Sequence, residues 1–553
     1  MFSNLINLFR HLSHPERRSV YITAFVALLA VTGLVFIGFN NITRAVPVPG
    51  GTWTEGIIGQ PVFINPVISG SNDADRDLIA LTFCSLSDIA EKIEPTRDLQ
   101  VWQVRLKENA LWHDGKRLTS DDVIFTIARI QDPEYKSPQS ATWQGVTASR
   151  ISERELSLSL VAPLSFFPDN LEKLYLIPKH IFADIPLANW RLSDYNLQPV
   201  GCGPYQFDSF KKRPDGFITQ LSLKANPDYV GNAPFISNFD IAFYTDPEQA
   251  IEDFIFAKID GLGGLSKKQL DQIRRSHNLF ALPTPRYYSV FINQNAHPAL
   301  KDKNVRLALD SAIDRNLLIR ATLGGYAEPV TGPVTPNFLE EVDLPQPTVS
   351  LDPLTDAADI LEQSGWKLNE SGTRSKKISK NDVTLEFDLI VPEIEPLLSA
   401  AEFIKKTWGE IGVKINTVIL SPETINGNVI RGRNFSLLLF GNIIGRSPDL
   451  FSFWHSSQTD YPGLNLAQYQ NRAADKLIES IRRGEDPEEE TSDLVSLYTL
   501  IQRDLPAVFL YSPQYLYLTS SDLKGFSEDL IVTPADRFRS VSSWYLKTAR
   551  QLK

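Results

Sequence analysis

An α/β body behind one N-terminal membrane-spanning helix is the fold class this sequence predicts, on three observations. Residues 20–39 (VYITAFVALLAVTGLVFIGF) contain no charged side chain, a run of about the 20 apolar positions a helix needs to cross a bilayer core. Beyond residue 52, apolar stripes at helical spacing alternate with short runs at strand spacing, the pattern of a mixed α/β protein. Composition is ordinary: 42% hydrophobic and 22% charged among 553 residues suit a globular body and argue against disorder or a multi-span membrane protein.

The N-terminus sets the orientation. Arg10, Arg17 and Arg18 precede the apolar run against Glu16 alone, and only Arg44 closely follows it. The positive-inside bias therefore places residues 1–19 in the cytoplasm and the body outside. A cleaved secretory signal is the alternative. Against it stand the length of the run, the lack of a clear small-x-small site, and the lack of a cysteine near its end to take a lipid. Residues 40–51 (NNITRAVPVPGG) show no periodicity and close on Pro and Gly, which reads as a short linker.

The remaining length amounts to about three domains at ~150 residues each. Val305, Ala308, Leu309, Ala312 and Ile313 fall on one helical face, as do Leu397, Leu398, Ala401, Ile404, Trp408 and Ile411. Pro396 and Gly412 punctuate the second helix, and Val413, Ile415, Thr417 and Ile419 then alternate as a strand. A formal charge of −11 argues against a nucleic-acid partner, which needs a basic face. Cys84 and Cys202 are the only cysteines; outside the cell they are either bridged or two buried thiols, and both readings stay open.

Residues 112–126 (WHDGKRLTSDDVIFT) are the most informative stretch. Asp114-Gly115 favours a tight hairpin turn after the strand-like residues 101–107. Thr119 suits a helix N-cap, with Asp122 three residues on and an apolar stripe at Val123, Ile127 and Ile130. The segment resembles the W-H-D-G signature of the family 5 extracellular solute-binding proteins, the peptide and nickel receptors of ABC importers. Further stretches resemble that family in order: Ile64-Asn65-Pro66, residues 200–205 (VGCGPY, with Cys202 where the family has Thr), residues 223–229 (LKANPDY), residues 302–315 (DKNVRLALDSAIDR) and residues 505–511 (LPAVFLY).

The resemblance implies a two-lobed, periplasmic-binding-protein-like clamshell of type II with an extra inserted domain, closing on its solute by hinge motion. By that analogy lobe I comprises residues 52–85, 199–292 and 511–545, the inserted domain 86–198, and lobe II 293–510, with crossings near 291–293 and 510–512. It also implies a monomeric, extracytoplasmic receptor, anchored in the cell membrane by residues 20–39. Such a receptor delivers a peptide or other small solute to an ABC permease with its ATPase subunits. A ligand sensor or surface-binding protein on the same fold, without transport, is the alternative.

One departure bears on the ligand. Peptide receptors of the family carry an Asp within G-W-x-x-D-Y-x-x-P that pairs with the substrate's free amino terminus, whereas residues 440–449 (FGNIIGRSPD) have neither the Trp nor that acid. A buried ammonium without a countercharge is costly, so either another acid serves it or a free amine is not the recognised feature. Candidate ligand-binding positions are the main chain of Gly441, Asn442 and Ile443, which follow the apolar run 435–440 and suit strand addition. Arg446 is read either as a partner for an anionic group or as a solvated loop residue. Trp454, Tyr461 and Tyr511 are read either as cleft aromatics or as core. The seven His are scattered, and no H-E-x-x-H, G-x-S-x-G or Walker loop occurs; no catalysis, cofactor or metal is expected. His113 beside Asp114 is read as part of a structural turn rather than as a general base.

Overall fold

The computed structural model describes residues 13–338, 352–484 and 486–552. Among the described residues, strands run side by side in the order Lys414–Leu420, Glu386–Pro392, Leu437–Ile443, Arg286–Ile292, Ala507–Ser520, Gly261–Gly263, Thr52–Ile58, Asn238–Tyr244, Ile218–Ala225 and Tyr205–Lys212. The long strand Ala507–Ser520 belongs to both lobes. Its first part, through Tyr511, pairs with Arg286–Ile292, and its second part pairs with His277–Pro283.

Between those parts the ladder is interrupted at Pro285 and Pro513, residues that have no N–H to donate. Side chains lace the two crossings instead: Thr284 Oγ1 donates to Pro513 O at 2.5 Å, and Ser512 Oγ donates to Thr284 O at 2.9 Å. The expected clamshell is thus observed, with crossings at 284–285 and 512–513. The first differs from the expected 291–293, and with it the expected lobe I boundary at 292. The whole of Arg286–Ile292 pairs with the lobe II strand Leu437–Ile443, so residues 291–293 lie at that strand's far end.

Lobe II covers both faces of its sheet. Val290, Ile292, Leu389, Val391, Leu437 and Leu439 enter one core, while Tyr287, Phe291, Ile390 and Leu438 enter the other. Side chains alternate between faces along a strand, and with both faces buried the strand sequences become nearly continuous apolar runs. Helices Lys303–Ser311 and Glu395–Glu410 cover the first face, burying Val305, Ala308 and Leu309, and Leu397, Ala401, Ile404 and Trp408. Gly412 takes φ +81° after the second helix, and Lys414–Leu420 then pairs parallel to Glu386–Pro392.

The segment 86–198 is fused to lobe I. Trp102, Trp143, Leu156 and Trp190 share one continuous core with Trp53, Tyr205, Phe239 and Trp544. The helix Ser120–Gln131 begins as expected, the Asp122 carboxylate accepting from Thr119 N–H at 2.9 Å and from its hydroxyl at 3.1 Å.

At the junction, a Cβ on Gly201 would lie 1.8 Å from Thr82 O, and one on Gly203 would lie 2.6 Å from Thr82 C; only glycine allows that approach. His113 brackets the turn. Its Nδ1 accepts from Gly201 N–H at 3.2 Å, and its Nε2, the protonated nitrogen, donates to Gly203 O at 3.1 Å. The disulfide Cys84–Cys202, with Cα atoms 5.2 Å apart, closes the question left open by sequence.

The helix His14–Ile42 includes a stretch, His14–Leu34, long and apolar enough to cross a membrane. Within residues 40–51, expected as a short linker, six residues form a strand. Thr43–Val48 pairs antiparallel with Lys547–Leu552, from Thr43↔Leu552 to Val48↔Lys547. Thr43, Val46 and Val48 favour a strand, but the partner lies at the other end of the chain, beyond the reach of a local pattern.

Candidate functional site

A cavity of about 580 Å³ is walled mainly by lobe I and the segment fused to it, with one residue of lobe II at its edge. Helix Asp73–Thr82 brings Arg76, Ile79 and Ala80 to its wall; Asn72 caps that helix, its side chain accepting from Ala74 N–H at 2.9 Å. Helix Phe167–Lys173 brings Glu172 and Lys173 at its C-terminal end. The C-terminal part of lobe I contributes Asp536, Phe538 and Arg539, and lobe II contributes Arg446 alone among the described lining residues.

The acids of this cavity are largely engaged. Asp88 accepts from Ser85 N–H and Oγ–H at 2.8 and 2.9 Å, and Asp536 accepts from the N–H groups of Val532 and Thr533 at 2.8 and 3.1 Å. Glu172 pairs with Arg539. Burial works against the Arg539 charge, yet Glu172 outweighs it and holds that guanidinium above its ordinary pKa. Arg446 Nε stands 3.8 Å from Glu172 Oε2, and its Nη2 donates to Leu530 O at 3.4 Å, so Glu172 lies between guanidinium groups from the two lobes.

The residues singled out from sequence separate into four groups. Arg446 reaches the cavity wall. Gly441, Asn442 and Ile443 close the strand Leu437–Ile443, and the following residue is tied to the crossing, Ile444 N–H donating to Pro285 O at 2.8 Å. Asn442 is buried, with its Nδ2 donating to Tyr287 Oη at 2.9 Å, so its side chain is unavailable to a ligand; Ile443 is exposed.

Trp454 and Tyr511 are core residues, both 0% exposed. Trp454 Nε1 donates to Tyr287 Oη at 3.1 Å, and Tyr511 packs on the Tyr288 ring at 5.6 Å. The reading of these two as cleft aromatics is therefore corrected: their positions near the crossing and the cleft segment hid the fact that each points into lobe II. Tyr461 is exposed beneath the Arg431 guanidinium, 5.3 Å from its ring centre, and does not line the cavity. Sequence reasoning missed Arg76, Glu172, Lys173 and Arg539, which come from separate stretches and carry no local motif.

Comparison with known proteins accords with this geometry. The family model "Bacterial extracellular solute-binding proteins, family 5 Middle" matches residues 87–463. The oligopeptide-binding protein AppA of Bacillus subtilis (strain 168) is 25% identical over 519 residues, 90% of this chain and 92% of that protein. The crystal structure of the ABC transporter substrate-binding protein CtaP from Listeria monocytogenes shares the fold with a TM-score of 0.74 and 24% identity, over 90% of this chain and 99% of that one. The structure of Bacillus subtilis AppA in complex with a nonapeptide does so with a TM-score of 0.69 and 24% identity, over 91% and 100%. The chain belongs to the bacterial extracellular solute-binding proteins of family 5, and is a solute-binding protein rather than an enzyme.

Proposed function

We propose that this chain is the membrane-anchored receptor of an ABC importer, taking a peptide-like solute between its lobes and delivering it to the permease. The observation that carries the reading is the cavity of about 580 Å³ walled by lobe I and closed at one edge by Arg446 of lobe II, in a chain that an oligopeptide-binding relative matches over 90% of its length. A clamshell laced by Thr284 and Ser512 at proline-interrupted crossings has a natural hinge. The edge of Leu437–Ile443 supports main-chain recognition. Glu386–Pro392 pairs with it only at Leu437 and Leu438, leaving residues 439–443 without a second partner strand among the described residues. Strand addition there accepts many sequences with little side-chain demand.

In this reading the helix His14–Ile42 stays uncleaved, with its N-terminus in the cytoplasm. The ribbon of Thr43–Val48 and Lys547–Leu552 then begins where the helix leaves the bilayer. The receptor acts as a monomer, and no bond in the solute is broken. Native mass spectrometry of the full chain, purified in detergent from its host, tests the proposal: a series of co-purifying peptides is expected, and a single nonpeptide compound refutes it.

A further inference from the structure

The charged groups around the cavity differ in how far their hydrogen-bonding capacity is already used. Lys173, Arg446 and Arg539 face it, beside Arg76 that is already paired with Asp73 at 3.3 Å, against Asp88, Glu172 and Asp536. Asp88 and Asp536 are occupied by the groups they cap, and Glu528 nearby accepts from Ser540 N–H at 2.7 Å. Arg446 is far from saturated: its contacts to Glu172 and Leu530 are 3.8 and 3.4 Å long, while a guanidinium offers five donors. A side chain at Gly445 would begin 3.8 Å from Lys173 Nζ, so the glycine leaves that ammonium without an acid from the strand end. Ser69 Oγ, on the same wall, is buried with no hydrogen-bond partner.

We infer that the solute presents a carboxylate between Arg446 and Arg539, where Glu172 now stands as the resident counter-ion. The inference rests on the cleft being the peptide site. A guanidinium fork matches a carboxylate in geometry and charge. The two arginines belong to different lobes, so a carboxylate held by both binds the closed form better than the open one, and that difference in affinity is what drives closure. Lys173 and Ser69 supply further donors on the lobe I side.

The test offers the full chain, in detergent micelles, four degenerate tetrapeptide mixtures: free, N-acetylated, C-amidated, and C-amidated with one Asp. None of the first three contains Asp or Glu, and retention is read by mass spectrometry. Carboxylate-bearing forms are expected to be retained about tenfold better than the neutral amide, in line with charge-assisted hydrogen bonds, and N-acetylation is expected to cost little. The Asp-containing amide tells a side-chain carboxylate from a terminal one.

Arg446→Gln is expected to cost carboxylate forms several-fold more retention than it costs the amide. Glu172→Gln, which removes the competing acid, is expected to tighten carboxylate forms about threefold. Equal retention of acid and amide overturns the inference and leaves the peptide reading standing, as does an equal loss of all forms in Arg446→Gln, which marks a latch between lobes. Retention of none of the four overturns the peptide reading and this inference together.

Discussion

Arg537 and Arg446 both meet acidic side chains, yet one cluster is sealed and the other is open. Arg537 Nε donates to Glu55 at 3.0 Å, and its two terminal nitrogens donate to Asp77 at 3.0 and 2.6 Å. Trp53 and Tyr517 donate to the second oxygen of Glu55 at 3.0 and 2.9 Å. Side-chain exposure is 3% for Arg537, 0% for Glu55 and 2% for Asp77. At Arg446 the side chain is 19% exposed and its nearest acid is 3.8 Å away. Similar residue types thus stand in two settings: a saturated, dry network joins residues 55, 77 and 537 into one lobe, and an unsaturated one lies on a cavity wall.

The largest effect that sharpens this contrast is on the sealed side. Arg537→Met leaves two carboxylates buried without their cation, and breaking a buried pair in this way costs about 3–5 kcal/mol. Denaturant unfolding of the full chain in detergent, followed by tryptophan fluorescence, is expected to show that loss. A change under about 1 kcal/mol, the size of an exposed pair, would erase the distinction between the clusters.

The disulfide comes next. It ties the end of helix Asp73–Thr82 to the turn at Gly201 and Gly203, across a sequence separation of 118. The Cys84→Ser, Cys202→Ser double variant is expected to lose about 2–4 kcal/mol in the same assay. His113 and the two glycines hold the same junction without covalent help, so a smaller loss would show that the hydrogen-bonded bracket suffices.

What the sequence made legible was local or repeated along the chain. The cap at Thr119, the stripe Val123, Ile127 and Ile130, the stop at Gly412 and the strand after it all follow from spacings within a dozen residues, and the structure has each of them. The strand Thr43–Val48, the Arg537 cluster and the cavity charges were not legible, because each joins residues from distant parts of the chain and no element alone carries a pattern. Trp454 shows a subtler limit. Its place in the cleft segment of lobe II suggested a cleft aromatic, but the short helix Phe451–Trp454 turns it inward onto Tyr287, and only three dimensions decide which way an isolated turn faces.

The dependence on pH separates the sealed cluster from the junction. Burial raises Asp77 from 3.8 to about 6 despite Arg537, so between pH 4 and about 6 the folded chain keeps a proton that the unfolded chain has lost, and stability falls as pH rises through that window. Burial lowers His113 from 6.5 to about 4; over nearly the same window the unfolded chain holds the extra proton, and this contribution rises with pH. The two slopes oppose each other in the native protein. Relative to the native protein, Asp77→Asn is expected to shift the slope of unfolding free energy against pH upward and His113→Gln to shift it downward, read at pH 4, 5, 6 and 7. Parallel curves for both variants would mean that neither group titrates differently on folding.

The smallest expected effect decides the comparison. Arg446→Gln removes a charge whose contact to Glu172 is long and partly solvated, so its stability cost is expected to stay below about 1 kcal/mol. Glu172 keeps Arg539 as its partner, and no buried acid is stranded. If unfolding instead shows a loss comparable to that of Arg537→Met, the Arg446–Glu172 contact is a structural clasp between the lobes. A near-neutral change with altered ligand retention places Arg446 where an incomplete set of hydrogen bonds is useful, since donors already satisfied within the protein have nothing left to offer a solute.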